Sequence, residues 1–198
     1  MDLKYSKKDF YTKKAKEENY PARSVYKLKE INEKYRIFKH GDKVLDLGCA
    51  PGSWMLYIAQ EVGDKGRVVG ADITDIKIEL PKNAEFIKGD IMEIEVGGIF
   101  DVIVSDLAPH TTGIKFIDVE KSLELNYQVM EIVRKNLVSG GNFLCKMFEG
   151  EGTDEFFKKT KQYFKFIKIF RPKATRKGSR EMYIVAMGFK NYEKSQRL

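Results

Sequence analysis

A lysine inside an apolar strand is an expensive residue, and this chain carries one. Asn142-Phe143-Leu144-Cys145-Lys146-Met147 reads as a strand, and an ammonium there costs free energy unless its head reaches water or a partner. Two acids stand where they could meet it. Asp106 follows the apolar run Phe100–Ser105, in Ser105-Asp106-Leu107-Ala108-Pro109, while Glu181 opens the last apolar run, beside Arg180 and two residues before Tyr183. Amines and carboxylates gathered at strand ends can accept a proton, orient a hydroxyl or stabilise charge developing on an oxygen.

A second group of residues is arranged to hold a ligand. Asp46-Leu47-Gly48-Cys49-Ala50-Pro51-Gly52-Ser53-Trp54 falls where an apolar run turns into a helical pattern. Gly48 and Gly52 let the backbone turn sharply and approach a ligand closely. The G-x-G-x-x-G spacing of dinucleotide sites is absent, and Pro51 removes an amide donor. Asp46 would sit close to a ligand lying over the glycines, where a carboxylate suits a cationic sulfonium or ammonium better than a pyrophosphate. Asp72 ends the next strand about 20 residues on, where a carboxylate accepts from the ribose hydroxyls of an adenosine. Asp90, in Lys88-Gly89-Asp90-Ile91, follows the third strand and could accept from the adenine amino group. Any one of these acids could simply cap a helix or close a turn. Together with the loop they favour an adenosyl cofactor.

Strands alternating with helices must position these groups. The runs 44–47, 67–72, 84–87 and 100–105 are short, apolar and bounded by turn residues, as buried strands are. Helical spacing appears over 53–62, 118–138 and about 153–163, and ahead of them over about 23–35, with Val25, Leu28 and Ile31 on one face. Gly140-Gly141 is expected to end the long helix before the strand 142–147. The runs 166–170 and 182–189 have no helix between them, so they are expected to pair antiparallel. The fold class is α/β: a doubly wound, mostly parallel sheet with an antiparallel C-terminal strand, in one domain spanning residues 1–198.

Charge is distributed unevenly along the chain. Of 36 basic and 29 acidic residues, 13 and 7 fall in residues 1–43, 10 and 20 in 44–157, and 13 and 2 in 158–198. An acidic centre flanked by two basic arms is the footprint of a protein that neutralises phosphates. Cys49 and Cys145 stand apart, with no ligand spacing around them, so neither zinc nor a disulfide framework is expected. No apolar run would serve as a signal peptide or span a bilayer, which points to a reducing, cytoplasmic setting and no membrane partner.

The ordered set Arg23-Ser24-Val25-Tyr26-Lys27-Leu28, Asp46–Trp54, Ser105–Pro109 with Gly113, Lys146–Gly152 and Ser179-Arg180-Glu181-Met182-Tyr183 closely resembles the FtsJ/RrmJ family of RNA ribose 2′-O-methyltransferases. The match spans almost the whole chain. It implies a Rossmann-like methyltransferase fold and a Lys-Asp-Lys-Glu tetrad at Lys27, Asp106, Lys146 and Glu181. It also implies contacts to S-adenosylmethionine, leaving as S-adenosylhomocysteine, at Gly52, Trp54, Asp72, Asp90 and Asp106. Departures are mild: Ser53 stands where many members have glycine, and His110 where many bacterial members have asparagine.

Such a transfer is an in-line displacement, in which positioning contributes several kcal/mol, up to roughly 7–11 for ideal alignment. An ordinary lysine, with a pKa of about 10.4, is a poor base at neutral pH, so two roles stay open for Lys146: proton acceptor, or donor that orients the hydroxyl. The basic arms would hold RNA. Lys4, Lys7, Lys8, Lys13, Lys14 and Arg23 are candidates at one end, and Arg171, Lys173, Arg176, Lys177 and Arg180 at the other, with Tyr11, Tyr20 and Tyr183 available to stack on splayed bases. The compact size, without an appended RNA-binding domain, favours a uridine of large-subunit, 23S-type ribosomal RNA as the target and a monomer as the acting form. The alternatives are a tRNA anticodon-loop enzyme, a small-molecule O-methyltransferase, and a non-catalytic ribosome-assembly or RNA-binding factor.

Overall fold

The computed structural model describes residues 7–190 apart from 92 and 95, and leaves the side chains of 7–9 undescribed. Seven strands form one sheet: β1 (Lys43–Leu47), β2 (Arg67–Asp72), β3 (Ala84–Lys88), β4 (Phe100–Ser105), β5 (Leu137–Phe148), β6 (Phe164–Phe170) and β7 (Glu181–Phe189). Their order across the sheet is β3-β2-β1-β4-β5-β7-β6. The first five run parallel, and β7 is antiparallel to both β5 and β6. The order reverses between β1 and β4, so a crevice opens past the carboxyl ends of those two strands, where open α/β sheets bind ligands.

Helices α1 (Lys7–Glu17), α2 (Val25–Tyr35) and α3 (Ser53–Val62) cover one face, and α4 (Lys115–Asn136) and α5 (Thr153–Gln162) the other. Strand alternation divides the core between them. Val44, Val102, Leu144 and Val185 pack toward α2 and α3, whereas Leu45, Ile103, Phe143 and Ala186 pack toward α4 and α5. β2 and β3 are joined without a helix, and so, among the described residues, are β3 and β4.

Two elements differ from the sequence reading. α4 ends at Asn136, and β5 starts at once with Leu137, so Gly140-Gly141 lies inside the strand rather than at the helix terminus. Gly140 has φ +84°, and the pairing of β4 with β5 slips between Phe100 and Val102. The glycines therefore accommodate an irregularity in the sheet. α1 was not anticipated because it buries a single apolar residue, Ala15, and so has no stripe to read. It is held instead by Tyr11, whose ring lies 5.4 Å from that of Tyr26, with Lys13–Glu17 and Lys14–Glu18 ion pairs on its outer side.

Candidate active site

Strand parity puts the charged groups on one side of the sheet. Within β5, Lys146 shares a face with Leu144, and within β7, Glu181 and Tyr183 share one with Val185; both are the α2 face. Lys146 pairs with Tyr183 in register, and Phe148 with Glu181. Asp106 continues the α2-facing parity of Val104 and is fixed at the end of β4 by its N–H, which donates to Leu47 O at 3.1 Å. Lys27 descends from the first turns of α2.

The four groups form two linked pairs. Lys146 Nζ lies 3.0 Å from Asp106 Oδ1 and also donates to the main-chain oxygen of Asp106. Lys27 Nζ lies 2.6 Å from Glu181 Oε1. Each side chain is largely buried yet retains an edge in solvent, from 9% exposed for Lys146 to 17% for Asp106. Tyr183 stands between the pairs: its buried hydroxyl donates to Asp106 Oδ1 at 2.9 Å, and the negative charge of Glu181 acts on it as well. Burial first, and then the negative charges of Asp106 and Glu181, push its phenol far above the usual range, so it stays a donor. Tyr183 therefore cannot stack on a base, as its sequence position suggested. Tyr20 is excluded for the same reason: it is buried, with its hydroxyl on Gln60 Oε1.

Lys146 is gripped from the opposite face of the sheet. Asn126, buried in α4, donates to Lys146 O at 3.0 Å, and one turn earlier Ser122 Oγ accepts from Phe148 N at 3.1 Å. The sequence did carry a trace of this. Ser122 and Asn126 sit four apart on the face of α4 that also holds Val119, Val129 and Val133, where apolar residues were due.

The glycine loop crosses the mouth of the crevice beside this group. Gly48 (φ +76°) and Gly52 (φ +103°) both adopt left-handed conformations. A side chain at Gly48 would strike Leu107, and one at Gly52 would strike Ile78, so the loop packs tightly between two neighbouring segments. Asp72 stabilises it directly: Oδ2 accepts from Ala50 N at 2.9 Å and Oδ1 from Thr74 N at 2.8 Å. Pro51 is exposed at the loop's tip, and Asp90 is exposed beyond β3, whose end is joined to β2 by Gly89 N–H donating to Asp72 O.

Two loop residues are more enclosed than their place in the loop suggested. Trp54 is buried, its indole N–H donating to Ser24 O and its ring packed 6.1 Å from Tyr183, so only its main-chain N–H in the first turn of α3 is left to offer a ligand. Asp46 is fully buried beneath the loop, and neither carboxyl oxygen has a hydrogen-bond partner. Burial, followed by the negative charges of Asp106 and Asp72, raises it well above the carboxylate range. Three acids converge here with too little positive charge among them, and a cationic ligand would correct that. Ser53, which departs from glycine, accepts a 2.7 Å bond from Ala22 N and so fastens α3 to the segment entering α2.

The two basic arms meet at this same edge. Arg23 Nη2 donates to Ala174 O at 2.7 Å, and Lys173 N donates to Glu30 Oε2 at 2.7 Å. Arg180 Nη1 donates to Lys115 O, and Arg171 pairs with Glu149. Arg176 and Lys177 are exposed between them. Lys13 and Lys14 lie on α1 in ion pairs, and Tyr11 is half-buried against Tyr26. Lys4 and the side chains of Lys7 and Lys8 lie outside the described residues. Cys49 and Cys145 are buried free thiols. No helix is long and apolar enough to cross a membrane, and no cluster of metal-ligating side chains occurs, among the described residues.

Residues 20–189 match the model of the FtsJ-like methyltransferase family. The ribosomal RNA large subunit methyltransferase E of Desulfatibacillum aliphaticivorans is 49% identical over 184 residues, covering 90% of this chain and 89% of its own. That of Desulforapulum autotrophicum is 46% identical over 188 residues, covering 92% and 93%. Among solved structures, one described as a ribosomal RNA methyltransferase of Plasmodium falciparum superposes with a TM-score of 0.77 at 28% identity, covering 86% of this chain and 98% of that one.

Proposed function

This chain belongs to the FtsJ-like methyltransferase family, and from that premise we propose that it moves a methyl group from S-adenosylmethionine to the ribose 2′-hydroxyl of a uridine in large-subunit, 23S-type ribosomal RNA. The observation that carries the reading is the paired tetrad at the carboxyl edge of the sheet, beside a glycine loop ringed by acids.

The residues present fit the cofactor. Asp72 keeps lone pairs for ribose hydroxyls after bonding Ala50 and Thr74, and Asp90 stands exposed where the base would lie. The first N–H groups of α3, at Ser53 and Trp54, suit the carboxylate of the amino-acid moiety. The acids Asp46, Asp72 and Asp106 suit its ammonium and sulfonium. When bound, the cofactor supplies an electrophilic methyl carbon on a positively charged sulfur.

Lys146 then addresses the attacking hydroxyl. Two of its directions are already committed to Asp106, at Oδ1 and at the main-chain oxygen. One remains. On an amine that direction is a lone pair, which takes the 2′-hydroxyl proton as the oxygen bonds to the methyl carbon and the carbon–sulfur bond breaks. Asp106, fixed by Tyr183 and by its own N–H, orients the amine. Lys27, paired with Glu181, places a cation close to the oxygen on which charge develops.

Mass spectrometry of ribose methylation in ribosomal RNA and tRNA from a deletion strain tests the assignment. Loss of one 2′-O-methyluridine from large-subunit RNA is expected. Loss confined to the tRNA anticodon loop would move the substrate to tRNA, and no change in either RNA would overturn the reading.

A further inference from the structure

β4 and β5 separate just where the tetrad stands. Their pairing ends at Ser105 and Cys145. Beyond it Asp106 turns toward β1, its N–H donating to Leu47 O, while β5 runs on to Phe148 against β7 alone. Main-chain hydrogen-bonding groups alternate from one side of a strand to the other. Glu149 N–H donates to Arg180 O on the β7 side, so Phe148 N–H and Lys146 O point into the gap that β4 has left. Buried main-chain groups without partners are costly. Both are taken up by α4, the helix that crosses from β4 to β5: Asn126 Nδ2 donates to Lys146 O at 3.0 Å, and Ser122 Oγ accepts from Phe148 N at 3.1 Å. Asn126 Nδ2 also donates to Ser122 O at 2.8 Å, so the amide is fixed in one orientation, and its Oδ1 is left buried without a partner. An apolar side chain would avoid that unmet acceptor and would continue the stripe of Val119, Val129 and Val133. What the amide supplies in exchange is a donor to Lys146 O. From the other face of the sheet the same gap is spanned by the Lys146 amine, which reaches Asp106 Oδ1 at 3.0 Å and the Asp106 main-chain oxygen.

We infer that Asn126 and Ser122 are positioning residues for methyl transfer: they complete β5 past the end of β4, and so fix the main chain of Lys146 where its amine meets both Asp106 and the attacking hydroxyl. The inference rests on the role proposed for Lys146. Both side chains lie on the α4 side of the sheet, opposite the amine, so they act through the lysine and not on the reacting atoms. Displacing a reacting group by about 1 Å can cost about 10²-fold in rate. Two hydrogen bonds from one helix are enough to prevent such a displacement at a strand end that has lost one of its neighbours.

The test follows single-turnover methyl transfer by the full chain to large ribosomal subunits from the deletion strain. Asn126→Leu, which keeps the volume and removes the donors, and Ser122→Ala should each slow transfer by about 10- to 10²-fold, with the affinity for S-adenosylmethionine unchanged. Ser122→Thr, which keeps the hydroxyl acceptor, should restore most of the rate. In a Lys146→Met background Asn126→Leu should cost nothing further, because the group it positions is already gone. Losses that multiply in the double variant would show that Asn126 acts elsewhere and would overturn the inference, as would wild-type rates in both single variants. Should Asn126→Leu fail to fold, the alanine and threonine variants of Ser122 carry the same test, and a threonine as slow as the alanine would overturn it. Failure of the ribosomal RNA assignment would appear separately, as no transfer by the wild-type chain. The ¹³Cε NMR signal of Lys146 then reads the positioning without RNA: it should move in Asn126→Leu and Ser122→Ala, and a signal that stays in place in both would overturn the inference.

Discussion

Lys146→Met removes the ammonium and keeps most of the side chain's length and volume. Two bonds to Asp106 are lost, the 3.0 Å contact with Oδ1 and the one to its main-chain oxygen. Hydrogen bonds to charged groups contribute about 1.5–3 kcal/mol each. Asp106, however, keeps the Tyr183 hydroxyl at 2.9 Å and has 17% of its side chain in solvent. A net loss of about 2–3 kcal/mol of stability is therefore expected, rather than the sum of both bonds. For a domain of this length that corresponds to a fall in Tm of about 4–12 °C. Single-turnover methyl transfer, measured on folded variant, should drop by at least about 10²-fold. Cofactor affinity by calorimetry should barely change, because the glycines and acids that would hold the adenosine come from β1, β2 and β3. Lys146→Arg then isolates the proton. A guanidinium can still donate to both Asp106 acceptors but cannot lose its proton in any useful pH range. Its extra bulk costs about 1–3 kcal/mol of stability at so buried a position. If Lys146 takes the hydroxyl proton, the arginine variant should be as slow as the methionine variant. Activity within about tenfold of wild type would refute the base role and leave only orientation and charge. Wild-type rates in Lys146→Met would refute the site itself.

Tyr183→Phe should leave the core filled, cost about 1–2 kcal/mol in thermal denaturation, and slow transfer without affecting cofactor binding, since only the orientation of Asp106 is lost; unchanged kcat would show that Asp106 needs no such support. Asp72→Ala should weaken the cofactor by about 1.5–3 kcal/mol in calorimetry and also destabilise the protein, because Ala50 and Thr74 lose their acceptor; unaltered affinity in a folded variant would remove Asp72 from the site. Asp46 has a raised folded value, so it binds its proton more tightly folded than unfolded. Its contribution is fully present below the unfolded value of 3.8 and is lost as pH rises toward the folded one. Asp46→Asn should therefore gain stability over the ligand-free wild type as pH rises through that window, and denaturation curves that keep a constant separation from pH 4 to 8 would show that Asp46 is not held protonated.

The strand order of the chemistry was legible because each charged residue interrupts an apolar run, and an interruption at a strand end is visible in one dimension. Lys146, Asp106 and Glu181 could be picked out in this way. Lys27 could not, since a lysine on an amphipathic helix looks like any solvated lysine; it came from the family resemblance. Tyr183 was placed on the wrong side of the problem because a tyrosine reads alike whether it packs or stacks. Only pairing with Lys146 in an antiparallel register shows which face it takes. Asp46 was expected close to a ligand lying over the glycines, and what its loop position did not show is that it is fully buried there with neither carboxyl oxygen hydrogen-bonded. Gly140-Gly141 was misread as a helix stop because a glycine pair signals a break without saying which element breaks.

The reversal of β7 has a consequence for how such a protein can diversify. Because β6 and β7 are antiparallel neighbours, the short connection at 171–180 emerges at the same edge as the tetrad, yet it is a hairpin at the margin of the sheet rather than a crossover through it. Crossovers are constrained at both ends by packing against the sheet, whereas a marginal hairpin can change length and charge while the strands beneath it keep their register. If the proposed RNA substrate is held here, the five arginines and lysines of this connection could thus change without moving Lys146, Asp106 or the glycine loop. Exchanging that hairpin between relatives would transplant substrate preference while conserving the rate of the chemical step.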